Sequence, residues 1–293
     1  MTSRFRALPA GLLSSVRNLV EGESGIVLND AKLPHLSALI RERMKALALP
    51  DAREYLSLVS EGPAPRAERR KLVDGLLVGE TSFFRTPGLY RVFEKRILAD
   101  QVDRGVVPPI PVWSAGCSTG EEAYSVAMAA LEWKGERHGP PVRVLATDIH
   151  RGALDRAREG VYPPQALRDV PERLRAKYFE PAAGGRFRVI DAVRRLVLFE
   201  ERNLVEDLSM PLPPGKYAAI FCRNVMIYFR AGTTRRLVER FHDRLLGGGV
   251  FFLGPSETLW GISDAFALEE REAVFYYRKP AASSRCGKAG RLR

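Results

Sequence analysis

The stretch Val112-Trp-Ser-Ala-Gly-Cys-Ser-Thr-Gly-Glu-Glu122 sets apolar residues ahead of Gly116 and Gly120, and a helical pattern from Ala123 to Trp133 follows. Strand, glycine loop and helix in this order let backbone approach a nucleotide-like ligand closely, because glycine tolerates positive φ and has no side chain to obstruct. Glu121 and Glu122 at the loop exit argue against a phosphate, the anion that a helix N-terminus otherwise attracts. A ligand with a cationic group fits better, and S-adenosylmethionine carries both a sulfonium and an amino group. Taken alone, the loop reads equally well as a βα turn whose acids complement the helix macrodipole.

Further polar residues fall where strands are expected to end. Asp148 closes Val142–Asp148, and a carboxylate there can accept hydrogen bonds from ribose hydroxyls. Asn203 follows Leu196–Phe199 and Asn224 follows Ala218–Cys222. An amide donates and accepts at once, which suits an adenine edge or an amino-acid carboxylate, although each asparagine alone could form an Asx turn. Upstream, Gly79-Glu-Thr-Ser-Phe-Phe-Arg85 places a hydroxyl, two aromatics and a guanidinium before the first strand. Phe83 and Phe84 are expected as interdomain core and Cys222 as a buried structural thiol.

The elements that must position these groups follow from hydrophobic periodicity. Leu33, Leu36, Leu39, Ile40, Met44 and Leu47 recur at helical spacing. Asp51 and Glu54 form a capping-box-like pair before another helix, Gly62–Pro65 reads as a linker, and Ala67 to Leu77 is amphipathic. Residues 1–80 are therefore expected to be a basic helical domain, with a linker to about residue 90. From Pro111 strands alternate with helices, through Val250–Leu253, and Phe266–Leu268 and Ala273–Tyr277 form a closing pair. The helix from Thr233 is expected to stop at Gly247-Gly-Gly249. Such alternation implies an α/β, parallel, doubly wound sheet over 91–280. Residues 163–195, rich in Pro and Gly, read as an inserted subdomain with a short helix and an antiparallel ribbon. Residues 281–293 are a basic tail expected to be disordered.

The 293 residues carry a formal net charge of +11, which points to an acidic partner. No apolar run is long enough to span a membrane and no signal peptide is evident. Cys117, Cys222 and Cys286 share no metal-ligand or redox spacing, so no metal is expected and a reducing cytoplasm is the simplest setting. The four histidines lie in no readable motif.

The motif set Glu80–Arg85, Trp113–Ser125, Ala146–Ile149, Asn203-Leu204, Ile220–Phe229 (Ile-Phe-Cys-Arg-Asn-Val-Met-Ile-Tyr-Phe) and Gly254-Pro-Ser-Glu257 resembles, in order, the CheR-type chemoreceptor methyltransferases. The resemblance implies S-adenosylmethionine as cofactor, a class I (Rossmann-like) methyltransferase fold, an N-terminal helical domain and a small β-subdomain in place of the insertion. It further implies transfer of a methyl group to glutamate side chains of receptor helices. Carried over by motif, Glu122 would bind the methionine end, with Glu121 the weaker choice, and Asp148 would hold the ribose. Gly116, Asn203, Leu204, Arg223 and Asn224 would complete the cofactor pocket. Thr81 and Arg85 would face cofactor and substrate, and Arg85 and Tyr228 would carry catalysis by orienting the carboxylate. The partners implied are acidic receptor helices on the basic N-terminal helices and, on the β-subdomain, a receptor C-terminal peptide. Gly79, where the family often has Asn, and Pro255 depart from the pattern.

Two rivals remain at this level. A nucleic-acid methyltransferase would also be basic, but Arg223-Asn-Val-Met stands where amino-methylating enzymes carry Asp/Asn-Pro-Pro-aromatic, and Cys222 follows Phe rather than Pro. A non-catalytic scaffold that binds the cofactor is the other.

Overall fold

The computed structural model describes residues 8–60, 64–77, 80–206 and 216–281. Leu12, Val16 and Val20 repeat every four positions and are all buried, which makes α1 (Ala10–Ser24) an addition to the helices expected from sequence. The same logic gives α2 (Leu33–Ala46) with Leu36, Ile40 and Met44 inward, α3 (Ala52–Ser60) with Tyr55 and Val59, and α4 (Ala64–Leu76) with Leu72, Val73 and Leu76. These helices share one core. Asp51 Oδ1 accepts the Arg53 amide at 2.8 Å, as an N-terminal cap should. Gly62 and Pro63 of the expected linker lie outside the described residues. Ala64 and Pro65 already belong to the first turn of α4, where a missing N–H costs nothing.

A helical stretch follows: α5 (Pro87–Val92), a π-helical turn (Phe93–Ile97) and α6 (Leu98–Asp103). Then come β1 (Ile110–Ala115), α7 (Glu121–Arg137), β2 (Val142–Asp148) and α8 (Arg151–Glu159). The insertion contains β3 (Val161–Tyr162), α9 (Glu172–Tyr178), β4 (Phe179–Ala182), β5 (Arg186–Val189) and α10 (Asp191–Arg194). The chain resumes with β6 (Val197–Glu201), β7 (Tyr217–Cys222), α11 (Ala231–Arg244), β8 (Leu245–Leu253), β9 (Ala267–Arg271) and β10 (Val274–Arg278).

The main sheet runs β6-β2-β1-β7-β8-β10-β9. Its first five strands are parallel, and β10 is antiparallel to both β8 and β9. Pairing of Ala115 with Thr147, Asp148 with Glu201 and Ser114 with Phe221 brings the carboxyl ends of β1, β2, β6 and β7 to one rim. Ligands of doubly wound sheets bind at such a rim.

One expectation is corrected. The run Gly247–Gly249 does not cap α11; the helix ends at Arg244, Leu245 is already extended, and the glycines lie inside β8. Partners of β8 jump from Tyr217 to Ala219, and Gly248 has φ +79°, so the run marks a bulge. The inserted ribbon is a three-stranded antiparallel sheet, β3-β5-β4, whose first strand precedes residue 163. Two residues are too few for alternation to reveal.

Candidate active site

Thr81, Arg85, Gly116, Glu122, Asp148, Asn203, Leu204, Arg223, Asn224 and Tyr228 all line one cleft, between the N-terminal helices and the sheet rim. Each is placed by local structure. Gly116 has φ +83°, and a Cβ there would lie 2.4 Å from Val225, so glycine lets the loop after β7 close onto the loop after β1. The amides of Gly116 and Cys117 both donate to the Thr147 carbonyl, at 2.8 and 3.0 Å.

Asp148 Oδ2 accepts the Ser118 amide at 2.7 Å and Oδ1 the His150 amide at 2.8 Å. Each oxygen keeps a further lone pair, so the fixed carboxylate could still accept two hydroxyls. Burial pushes its carboxyl above the ordinary range, opposed by those two N–H groups. Glu122, at the start of α7, accepts from Ser114 Oγ at 2.8 Å, and Arg223 Nη1 lies 3.4 Å from its other oxygen. Burial pushes this carboxyl up as well, with the Arg223 guanidinium pulling it down. Glu121 points elsewhere: it accepts from Thr119 Oγ1 at 2.6 Å and does not line the cleft. Glu122 is therefore the acid available to a cationic ligand group.

Arg85 is flanked by Phe84 at φ +53° and Thr86 at φ +70°, conformations rare outside glycine. Both are held in place. The Phe84 amide donates to Ser125 Oγ at 2.9 Å, and Thr86 Oγ1 accepts from Arg223 Nη2 at 2.9 Å. Arg85 itself donates to the Glu80 carbonyl at 3.0 Å, and no carboxylate pairs with it among the described residues. Phe83 packs edge-on against Tyr162 and Phe179 of the insertion, and Phe84 against Tyr90, so both aromatics are core.

Tyr228 is held through its backbone. Its carbonyl accepts the Val27 amide at 2.8 Å, and Ile26 forms a β-bridge with Phe229. Glu21 stabilises the same junction, accepting from the Leu28 amide at 2.8 Å and from Arg230 at 2.6 Å. The Tyr228 hydroxyl makes no hydrogen bond among the described residues, while Lys32 Nζ sits 5.0 Å from its ring centre. Asn203 donates to the Glu23 carbonyl at 2.7 Å and accepts the Val205 amide at 3.0 Å. Its amide is thus largely engaged within the protein, as an Asx turn that ties α1 to the rim.

Several contributors were missed by sequence reasoning. Glu257 is the foremost: its carboxylate accepts the amides of Asn224, Val225, Met226 and Gly254 at 2.7–3.0 Å. Asn224 has φ +58°, and a Cβ on Gly254 would lie 2.9 Å from the Asn224 amide, so this clamp fixes the loop after β7. Pro255 is exposed in the turn Glu257 N–H to Gly254 O (3.0 Å), a place proline favours. Ser24, Ile26 and Leu77 of the helical region also line the cleft, as do Tyr90 and His150. Only Gly254–Glu257 carried any signal, as part of a motif. Gly79 lies outside the described residues.

Cys117 and Cys222 are buried free thiols, and burial pushes both well above the ordinary thiol range. Among the described residues no cluster of His, Cys, Asp or Glu is arranged to hold a metal ion, and no helix is long and apolar enough to cross a membrane.

Compared with known families, residues 12–77 match the CheR methyltransferase all-alpha domain and residues 79–275 match the CheR methyltransferase SAM binding domain. The chain belongs to the CheR methyltransferase family. It is an S-adenosylmethionine-dependent methyltransferase with a class I, Rossmann-like sheet. Among CheR relatives, it is 38% identical over 249 residues to chemotaxis protein methyltransferase 2 of Pseudomonas aeruginosa, covering 83% of this chain and 85% of that one. It is 37% identical over 256 residues to chemotaxis protein methyltransferase 1 of Vibrio cholerae, covering 85% and 90%. The chemotaxis protein methyltransferase of Borreliella burgdorferi is 30% identical over 253 residues, covering 85% and 88%.

Proposed function

We propose that this CheR-family enzyme methylates glutamate side chains on the cytoplasmic helices of chemoreceptors, giving γ-methyl esters for sensory adaptation. The observation that carries the reading is the cleft mouth. Among the described residues Arg85 has no carboxylate partner and the Tyr228 hydroxyl makes no hydrogen bond, and both line the cleft. Both are oriented by backbone clamps and available to a carboxylate. The names of the relatives supply the chemotaxis context.

The donor sets in the cleft fit S-adenosylmethionine. The Glu122 carboxylate would meet its amino group, and the spare lone pairs of Asp148 would meet the ribose hydroxyls. Gly116, Asn203, Leu204, Arg223 and Asn224 would shape the remaining pocket, with Thr81 at its open side. When bound, the cofactor supplies an electrophilic methyl group and leaves as S-adenosylhomocysteine. The chain contributes position. A free glutamate has a pKa near 4.3, so the acceptor arrives ionised and no side chain need remove a proton. Arg85 and Tyr228 hold one carboxylate oxygen so that the other faces the methyl, and alignment of this kind is the main source of rate. A full bidentate grip by Arg85 would lower the nucleophilicity of the oxygen, so its hold is one-sided.

Acidic receptor helices are the partner we propose for the basic N-terminal helices, in the cytoplasm, where receptor methylation segments lie. For a receptor C-terminal peptide the longer edge strand is β4, since β5 is the middle strand and β3 has only two residues. Pro181 lies in β4 and has no N–H, so strand addition there is one donor short. The test is transfer of tritiated methyl from S-adenosylmethionine to purified receptor cytoplasmic fragments, followed by mild alkali. Label released as methanol supports carboxyl esters; protein that binds the cofactor yet labels no receptor would instead be a scaffold, and label on DNA or RNA would revive the nucleic-acid reading.

A further inference from the structure

Trp260 is 90% exposed, more than any other large apolar side chain among the described residues. The loop that presents it is nevertheless fixed. Tyr277 OH accepts the Leu259 amide at 3.1 Å and lies 3.2 Å from Thr258 Oγ1, and the Trp260 amide donates to that Oγ1 at 3.1 Å. Beyond the indole, Ile262 and Ser263 donate to the Leu259 carbonyl, and Arg235 donates to the Gly261 carbonyl at 3.3 Å. Leu259 is buried beside it. An aromatic ring held on a rigid scaffold in water is the kind of group that anchors a partner.

Its place relative to the cleft follows from Glu257, three residues earlier, which clamps Asn224 to Met226. The next residue, Ile227, lines the cleft and is 52% exposed. The Trp260 loop thus continues from the same clamp that holds the loop carrying Ile227 and Tyr228, which line the cleft. Basic groups border the cleft beside it: Lys32 over the Tyr228 ring and Arg85, while Arg230, its side chain 70% exposed, is paired with Glu21.

We propose that Trp260, with Ile227, is the apolar anchor that docks the acidic helix bearing the target glutamate. The inference rests on the substrate class proposed above. In a helix, side chains three, four or seven positions apart share a face. An apolar residue one or two turns from the glutamate, roughly 5–11 Å along the axis, meets Trp260 while the carboxylate enters the cleft. The basic border attracts the acidic helix, and the indole fixes its register.

The test is steady-state methyl transfer to a purified chemoreceptor cytoplasmic fragment, comparing wild type, Trp260→Ala, Trp260→Phe and Leu268→Ala. Leu268, 58% exposed on the edge strand β9 and paired with Tyr277, is the neighbouring apolar control. Trp260→Ala is expected to raise KM for the fragment about tenfold, the effect of removing an aromatic anchor. Its kcat at saturating fragment and its Kd for S-adenosylmethionine stay at wild-type values, Trp260→Phe recovers most of the KM, and Leu268→Ala is silent. An unchanged KM in Trp260→Ala, or an equal rise in Leu268→Ala, overturns the anchor and leaves the substrate class standing. Failure of wild type to methylate any receptor fragment overturns the substrate class, and the anchor with it.

Discussion

Arg223 Nη1 lies 3.4 Å from Glu122 Oε2, a buried pair that joins the exit of β7 to the first turn of α7. Arg223 also reaches Thr86 Oγ1 at 2.9 Å and Tyr90 OH at 3.4 Å, so one guanidinium touches the Arg85 turn, the glycine-loop helix and α5. Removing one partner of a buried pair leaves the other charge uncompensated, at a cost of ~3–5 kcal/mol. Arg223→Ala is therefore expected to shift the urea unfolding midpoint markedly, and Glu122→Gln, which keeps an acceptor for Ser114, to shift it less. Equal, negligible shifts would mean that the pair does not act as a buried charge pair.

The raised carboxyl of Glu122 sets a pH dependence. Burial makes it take up a proton above the ordinary carboxylate range. Affinity for S-adenosylmethionine through an ionised Glu122 therefore weakens on acidification earlier than an unshifted glutamate would allow. Asp148 is raised by burial too and adds to the same trend. Stability moves the opposite way. An acid whose folded pKa exceeds its unfolded value binds more protons when folded, so its contribution to stability falls as pH rises between the two values. Calorimetric Kd against pH should be flatter in Glu122→Gln than in wild type, and overlapping profiles would contradict the role of Glu122.

Glu257 holds four amides, and Gly254 leaves room for the Asn224 backbone. Unsatisfied buried donors cost about 1–3 kcal/mol each. Glu257→Ala should lose both stability, read by urea unfolding, and cofactor affinity, because Arg223 and Asn224 sit on the loop it clamps. Full cofactor affinity in Glu257→Ala would show that the loop is positioned by other contacts.

Arg85 offers a cleaner separation, since it pairs with no acid among the described residues and its loss leaves no buried charge behind. Arg85→Ala should lower kcat for methyl transfer by about 10²-fold, the scale of lost orientation, while cofactor binding survives in part. Wild-type kcat in this variant would remove Arg85 from the mechanism.

Much of the molecule was legible in sequence because periodicity and strand-end chemistry are local. The strands β1, β2, β6, β7 and β8 and the convergence of Asp148, Glu122 and Asn224 followed from alternation and from where polar residues stopped it. What escaped was decided by tertiary contacts. Gly247–Gly249 has the composition of a helix stop, but pairing with β7 places it in a bulged strand. Glu257 looks like an ordinary loop acid until four amides from two loops are seen to face it. Asn203 lines the cleft, and its amide also donates to Glu23, 180 positions earlier, a contact that no local pattern records.

The central claim is the identity of the methylated atom. Tandem mass spectrometry of a receptor cytoplasmic fragment, incubated with the enzyme and S-adenosylmethionine, locates it directly. The account predicts one added methylene on glutamate side chains of the helical segments, removed by mild alkali. Methyl groups found on lysine, arginine or any alkali-stable position, or an unmodified fragment beside enzyme that binds the cofactor, would contradict it.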